Sequence, residues 1–396
     1  MLIQEIQQLS LHYFSMVQRI RRHLHQNPEL SFEEHETAKY ISQELTTMGI
    51  AHEVGITGNG IVASISGKTT GTVLALRADI DALPIQEEND VLYRSCVSGK
   101  MHACGHDAHT ASLLGTIAIL NHFKSELSGT IKFIFQPAEE RLPGGASLMI
   151  QAGVLQNPTV NNIIGQHVMP LIPIGKIGVR KGKYMASADE IYLTIRGKGG
   201  HGAQPHTTID PVTIAAQLIV TLQQVISRIA DPRTPSVLTF GKIQAEGSTN
   251  IIPEQVYLEG TFRTFDEHWR TQAHQKIKDI TYALVGSFGA AADLQIKRGY
   301  PVLCNDESLT QSVQQAIEQY VGADNIVNLD LWTASEDFAY YTQVIPGCFY
   351  RLGTRNEDKG IIHGLHTPHF DIDEDALKIA PGLMAWIAIC QLQANS

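Results

Sequence analysis

The chain is short of cysteine, short of positive charge and without a long apolar run, and each shortage argues against a class of protein. Five cysteines, Cys96, Cys104, Cys304, Cys348 and Cys390, are scattered through 396 residues. An odd, widely spaced set is a poor disulfide framework and fits a reducing cytoplasm. Cys96, Cys304, Cys348 and Cys390 read as small buried hydrophobes. Thirty Lys and Arg stand against forty Asp and Glu, a formal charge of −10. A basic phosphate-binding face, and with it nucleic acid as a partner, is not expected. The opening Met1-Leu2-Ile3-Gln4-Glu5 is polar, with no basic segment leading into an apolar core, so no secretory signal is expected. No apolar stretch is expected to reach membrane-spanning length, so a membrane is not an expected partner either. There is no repeat of fixed period and no low-complexity segment.

What is present is an ordinary globular composition, 43% hydrophobic and 18% charged over 396 residues. That length exceeds one ordinary core and predicts two domains. The opening is helical, and a second helical run starts from about Ser31, through Phe32 to Ile41, and ends at Gly49. Continuous apolar runs bounded by breakers follow at Thr72 to Leu76, Ile131 to Phe135, Ile163 to Gly165 and Cys348 to Leu352. Helical stretches such as Thr110 to Phe123 alternate with them. This is the pattern of an α/β fold, a mostly parallel sheet flanked by helices. The middle of the chain reads differently. A half-exposed strand at Asp189 to Arg196, a helix at Asp210 to Ile229, two strands at Val237 to Gln244 and Gln255 to Phe265, a helix at Glu267 to Phe288 and a strand near Leu294 give the order βαββαβ. That order predicts a small α+β domain inserted into the larger one. The expected division is 1–185 and 299–396 for the larger domain and 186–298 for the insertion.

The densest chemistry lies in His102-Ala103-Cys104-Gly105-His106-Asp107-Ala108-His109. Thiolate and imidazole are the donors that borderline cations such as zinc prefer. Other metal-type residues fall just past the ends of the predicted strands: Asp79 and Asp81, then Glu139 and Glu140, then His167, then a loop with His363, His366 and His369. Ligands of an open α/β sheet gather at the carboxyl ends of its strands. Cys104, His106, Glu140, His167 and His366 make five candidate ligands, one more than a single cation needs, and a thiolate can bridge two. Adjacent Glu139 and Glu140 suit a division of labour in which one binds metal and the other takes a proton from water. His23, His25, His35, His52 and His122 read as structural or surface groups, whereas Asp79, His102, His109 and His369 are candidates to hydrogen-bond a ligand.

The segments Asp79-Ile80-Asp81-Ala82-Leu83-Pro84, His102 to His109, Gln136-Pro137-Ala138-Glu139-Glu140, Gly144-Gly145-Ala146, Gly199-Gly200-His201-Gly202-Ala203-Gln204-Pro205-His206 and Ser335-Glu336-Asp337-Phe338 resemble the M20 metallopeptidase family. The match is to its amidohydrolase branch and extends over nearly the whole chain. The resemblance implies a zinc-exopeptidase-like fold with a ferredoxin-like inserted lid or dimerisation domain. It implies two divalent metal ions, zinc or alternatively manganese, nickel or cobalt. Cys104 is similar to the bridging ligand, and His106, Glu140, His167 and His366 to the terminal ones. Glu139 matches the general base, and Asp81 a carboxylate that orients a ligand. His201 resembles a group that stabilises the oxyanion, contributed by the partner subunit in dimeric relatives. Asn250 and Arg263 resemble residues that hold substrate. Ser147 and the loop Arg141-Leu142-Pro143 depart from the family pattern beside the glutamates.

The implied activity is hydrolysis of an N-acyl amino acid to a carboxylic acid and a free amino acid, by a cytoplasmic homodimer joined through the inserted domain. The alternatives are a dipeptidase or carboxypeptidase of the same family, or a non-catalytic binding protein on this fold. A purely structural zinc site predicts a closed shell without a spare carboxylate, and Glu139 speaks against it.

Overall fold

The computed structural model describes residues 2–394. The chain forms two compact units: one of Met1–Gly182, Cys304–Asp330 and Asp337–Ser396, the other of Lys183–Leu303 and Leu331–Glu336. The cuts expected after residues 185 and 298 thus fall at 182 and 303. Residues 331–336 were assigned to the larger domain by sequence and belong to the smaller unit. The reason is a backbone contact across 146 positions or more, invisible to local periodicity: the Ala186 N–H donates to the carbonyls of Trp332 and Ala334.

The larger unit is built on an eight-stranded sheet. Its order is His52–Ile56, Gly60–Ser66, Ser128–Gln136, Thr69–Asp79, Asn162–Pro173, Gly347–Arg355, Ile177–Val179 and Ile326–Asn328. The four central strands run parallel, and antiparallel pairing is found toward the two sides. Central strands covered on both faces must be apolar along their length. This explains why the runs Leu74-Ala75-Leu76, Ile131 to Phe135 and Cys348 to Leu352 show no alternation, and those residues are buried. Helices Leu2–Gln26, His106–His122, Glu307–Val321 and Ala380–Ala394 pack with one another beside the sheet. His106–His122 is buried from His106 through Leu120.

Three local expectations change. The second helix begins at His35 rather than near Ser31, because Phe32 takes a left-handed backbone (φ 71°) in the turn before it. The antiparallel pair His52–Ile56 and Gly60–Ser66 carried no signal that the sequence reading used. Two helical stretches, Pro211–Ile229 and Glu374–Gln393, are long and apolar enough to cross a membrane by length and composition, where none was expected. The second of these windows is 72% buried within the protein. In the first, Ile214, Ala215, Leu218 and Leu222 form one helical stripe packed into a core.

The smaller unit is a four-stranded antiparallel sheet in the order Ser236–Ala245, Gln255–Thr264, Ser187–Arg196, Ala291–Arg298. Two helices, Pro211–Gln224 and Glu267–Ser287, complete the βαββαβ order. Alternating inward residues Ile191, Leu193 and Ile195 meet Leu218, Leu258 and Ile277 in its core. Asp210 and Asp266 cap the two helices through the backbone N–H groups of Val212 and Trp269, both at 2.9 Å.

The five cysteines are free. Cys348 is buried and Cys390 half-buried, but Cys96 and Cys304 are exposed, contrary to their reading as core residues.

Candidate active site

The site grows out of the carboxyl ends of the central strands. Thr69–Asp79 delivers Asp79 and then Asp81; Ser128–Gln136 delivers Glu139 and Glu140. His167 does not follow its strand, as the sequence suggested, but sits within Asn162–Pro173. In register Arg77 lies opposite Gly165, so His167 is level with Asp79, where the neighbouring strand stops. Gly347–Arg355 leads into the loop that carries His366.

Cys104 and His106 are aimed by the residue between them. Gly105 has φ 86°, in the left-handed region, and precedes the helix that begins at His106. A Cβ there would lie 2.4 Å from Val168 Cγ2, so this turn requires glycine. Two further left-handed residues, Ala138 (φ 54°) and His366 (φ 61°), stand beside the glutamates and in the last loop. Each is fixed by a backbone hydrogen bond. The Ala138 N–H donates to the buried carboxylate of Glu34 at 2.8 Å, and the His366 N–H to the Ala103 carbonyl at 2.8 Å. Strained backbone of this kind persists where the surroundings over-determine it, and it concentrates at functional sites.

The five candidate ligands converge around the Cys104 sulfur. His167 Nε2 lies 3.4 Å and His366 Nε2 3.3 Å from Cys104 Sγ. His366 Nε2 is 3.2 Å from Glu140 Oε1, and His106 Nε2 is 3.9 Å from the same oxygen. Two of the imidazoles are oriented from their far sides. Asp81 Oδ1 meets His106 Nδ1 at 3.1 Å, and His167 Nδ1 donates to the Val168 carbonyl at 2.7 Å, which leaves both Nε2 atoms facing the cluster. Asp81 is itself fixed by the Ser31 hydroxyl at 2.6 Å and the Glu140 N–H at 3.0 Å.

Of the residues considered as supports, His109 has both ring nitrogens engaged. Its Nε2 accepts from the Val168 N–H at 2.9 Å, so its Nδ1 donates to Asp79 at 2.6 Å. Both nitrogens are thus taken up in bracing Asp79 and the Val168 backbone. His369 instead meets Glu88 at the surface. Buried His102 makes no hydrogen bond to another residue, and burial lowers its pKa to about 4.

These donors fit divalent cations. Buried His106 Nε2 and Glu140 Oε1 have no hydrogen-bond partner. Two overlapping sets, Cys104 with His106 and His167, and Cys104 with Glu140 and His366, bring their donor atoms within 4.8 Å of one another. The local field also favours positive charge. Burial opposes protonation of His106, but Asp79, Asp81 and Glu140 outweigh it and push the pKa up to about 10. Burial, reinforced by Glu140, Glu139 and Asp79, drives the Cys104 thiol well above its usual range. His167 goes the other way, lowered by burial and by Arg351.

Glu139 stands next to this cluster, 6% exposed, and accepts the Asp337 N–H at 3.3 Å. Behind it lies a network that sequence reasoning missed. The buried Arg77 guanidinium bonds Asp79 at 2.6 Å, Gln136 at 2.9 Å and Asp337 at 2.8 Å. A charged residue inside the apolar run Leu74 to Ala78 was the signal available for it.

His201, Asn250 and Arg263 lie in the smaller unit. His201, in the short strand Gly200–His201, pairs with Ile251 of Ile251–Ile252. The adjoining Asn250 carbonyl accepts the Gly202 N–H at 2.8 Å, so His201 and Asn250 are neighbours. The Ala203 N–H donates to His201 Nδ1 at 3.1 Å, leaving the neutral ring with its proton on Nε2. Arg263 is half-buried and bonds the Ser335 hydroxyl at 3.3 Å.

A hydrolytic metal centre on this fold has counterparts among known proteins. The model for peptidase family M20/M25/M40 matches residues 75–388, and the chain belongs to this family and is a hydrolase. It is 42% identical over 358 residues to the N-acetyl-L-cysteine deacetylase of Bacillus subtilis, covering 90% of this chain and 84% of that one. It is 39% identical over 374 residues to thermostable carboxypeptidase 2 of Saccharolobus solfataricus, covering 94% of each. Among solved structures it resembles the YXEP protein of Bacillus subtilis, described as a dinuclear metal binding peptidase of the M20 family. The TM-score is 0.84 at 37% identity, over 96% of this chain and 99% of that one.

Proposed function

We propose that the protein is a metal-dependent amidohydrolase that cleaves N-acyl amino acids to a carboxylic acid and a free amino acid. The observation that carries this reading is the convergence of Cys104, His106, Glu140, His167 and His366, with the Glu139 carboxylate held beside them by the Asp337 N–H. Cys104, His106, His167, Glu140 and His366 would hold the cations, Cys104 belonging to both donor groups, one with His106 and His167 and the other with Glu140 and His366. Two divalent cations, zinc by donor type, would supply Lewis acidity there to the amide carbonyl and to water.

The residues of the chain do the rest. Glu139, held by the Asp337 N–H, takes one proton from the attacking water as its oxygen bonds to the acyl carbon. When the carbon–nitrogen bond breaks, Glu139 returns that proton to the leaving amine. His201 Nε2–H is assigned to the developing oxyanion, and Asn250 and Arg263 to the substrate carboxylate. Asp81 keeps the His106 ring in register. A cytoplasmic homodimer joined through the smaller unit accords with the free cysteines and with exposed Val220 and Ile243 on that unit.

Acyl amino acids are preferred as substrates because the relatives include N-acetyl-L-cysteine deacetylase and IAA-amino acid hydrolase ILR1-like 4 of Arabidopsis thaliana, the latter 38% identical over 391 residues. The carboxypeptidase relative, nearly as similar, supports peptide cleavage as the second reading. A panel of N-acetyl and N-benzoyl amino acids assayed beside dipeptides and longer peptides separates the two. Faster cleavage of the peptides overturns the first.

A further inference from the structure

We propose that Glu34 is a positioning residue for the hydrolysis: by one hydrogen bond it holds the backbone turn at Ala138 from which Glu139 reaches the cluster. The proposal rests on the reading of Glu139 as the base. Glu34 stands 104 positions before Ala138, in the turn that leads into the second helix. Its side chain is wholly buried, whereas that of Glu33 beside it is exposed. Around the left-handed Phe32 (φ 71°), Ser31 and Glu34 both reach the site. The Ser31 hydroxyl donates to Asp81 at 2.6 Å. Glu34 Oε1 accepts the Ala138 N–H at 2.8 Å, and Oε2 accepts the Asn59 side-chain amide at 2.9 Å. Both oxygens of a buried carboxylate are thus committed, one of them to the backbone next to Glu139.

Ala138 needs that support. Its φ of 54° is a conformation that alanine keeps only where its surroundings impose it. The residue is fully buried, and both of its backbone polar groups are engaged: the N–H by Glu34, the carbonyl by the Gly145 N–H at 2.9 Å. Without Glu34 the N–H loses its acceptor, and the left-handed turn loses what opposes its relaxation. Relaxation at Ala138 rotates the chain immediately before Glu139. Glu140, one residue further on, has its own anchor, since its N–H donates to Asp81 at 3.0 Å. The loss of Glu34 therefore falls on the base before it falls on the neighbouring donor.

The test compares variants of the full chain on the substrate that wild type cleaves fastest. Glu34→Met keeps the length of the side chain and removes the acceptor; Glu34→Gln keeps an oxygen for the Ala138 N–H. Glu34→Met is expected to lower kcat by roughly 10–10²-fold, the scale of a misplacement of about 1 Å, with KM and bound zinc unchanged. Glu34→Gln is expected to keep most of the wild-type kcat. Adding Ala138→Gly to Glu34→Met should recover a large part of the loss, because glycine takes a left-handed backbone without support. A crystal structure of Glu34→Met reads the turn without an assay, and Ala138 is expected to leave the left-handed region. Should Glu34→Met fail to fold, Glu34→Asp, one methylene too short to reach Ala138, takes its place with the same expectations. The proposal is overturned by wild-type kcat in Glu34→Met, by zinc lost in step with kcat, by an equal loss in Glu34→Gln, by no recovery in the double variant, or by an Ala138 that stays at positive φ. Wild-type turnover by Glu139→Gln overturns instead the reading of Glu139 as the base, so the two failures are told apart.

Discussion

Arg77 and Asp337, 260 positions apart in the chain, meet as a buried ion pair at 2.8 Å. The same guanidinium holds Asp79, which holds His109, while the backbone N–H of Asp337 holds Glu139. One cation thus links the support beneath the cluster with the proposed base. Replacing Arg77 by Ala leaves two buried carboxylates without their counter-charge. Such a loss costs about 3–5 kcal/mol. Urea unfolding of Arg77→Ala should show it; a change under about 1 kcal/mol would mean that other donors to Asp79 and Asp337 suffice.

The assignments of Glu139 and Cys104 predict opposite phenotypes. Glu139→Gln should lower turnover by roughly 10²–10⁴-fold with metal content unchanged, because only the proton acceptor is lost. Cys104→Ala should lose metal and activity together. Elemental analysis beside the kinetics decides, and full occupancy in Cys104→Ala removes that residue from the ligand set.

Gly105→Ala tests the turn that aims the two ligands. The new methyl meets Val168 Cγ2 at 2.4 Å on a backbone at φ 86°, so both contact and conformation oppose it. A destabilisation of about 1–3 kcal/mol is expected, with turnover falling further than stability alone explains. A variant with wild-type melting temperature and activity would show that the turn tolerates a side chain.

The smaller unit should contribute a pH dependence of its own. Burial raises the pKa of Asp189, but hydrogen bonds from His274 at 2.7 Å and from Arg270 at 2.6 Å outweigh it and hold the carboxyl below its usual range. The folded pKa lies below the unfolded one. The resulting stability is present above the unfolded value near 3.9 and is lost as pH falls through the folded value. Asp189→Asn should therefore be less stable than wild type at neutral pH and lose less on acidification. Parallel stability curves for the two proteins from pH 6 to pH 3 would contradict this.

How much of this was legible in the sequence depended on range. The central strands were readable because burial on both faces demands unbroken apolar runs such as Ile131 to Phe135. The βαββαβ order of the middle segment was readable because its strands alternate and its helices are amphipathic. Donor types clustered at Cys104 and His106 pointed to metal chemistry before any contact was known. What was not legible required distant partners. The Arg77–Asp337 pair, the capture of residues 331–336 by the smaller unit and the continuation of the strand past His167 to Pro173 are tertiary facts. So is the network in which buried Arg21 meets Asp107 at 2.9 Å and His25 meets the same carboxylate at 2.7 Å, although a structural role for His25 was anticipated.

The order in which the donors occur along the chain has a bearing on biosynthesis. Cys104, His106, Glu140 and His167 precede the 121 residues Lys183–Leu303, and His366 follows them. A ribosome must therefore translate the whole intervening unit before the last imidazole emerges, and domains generally fold in the order they are made. Until then, a nascent polypeptide offers an open, thiol-bearing half-cup of four of the proposed donors, so on the proposed assignment cation uptake into the completed cup would come late in maturation.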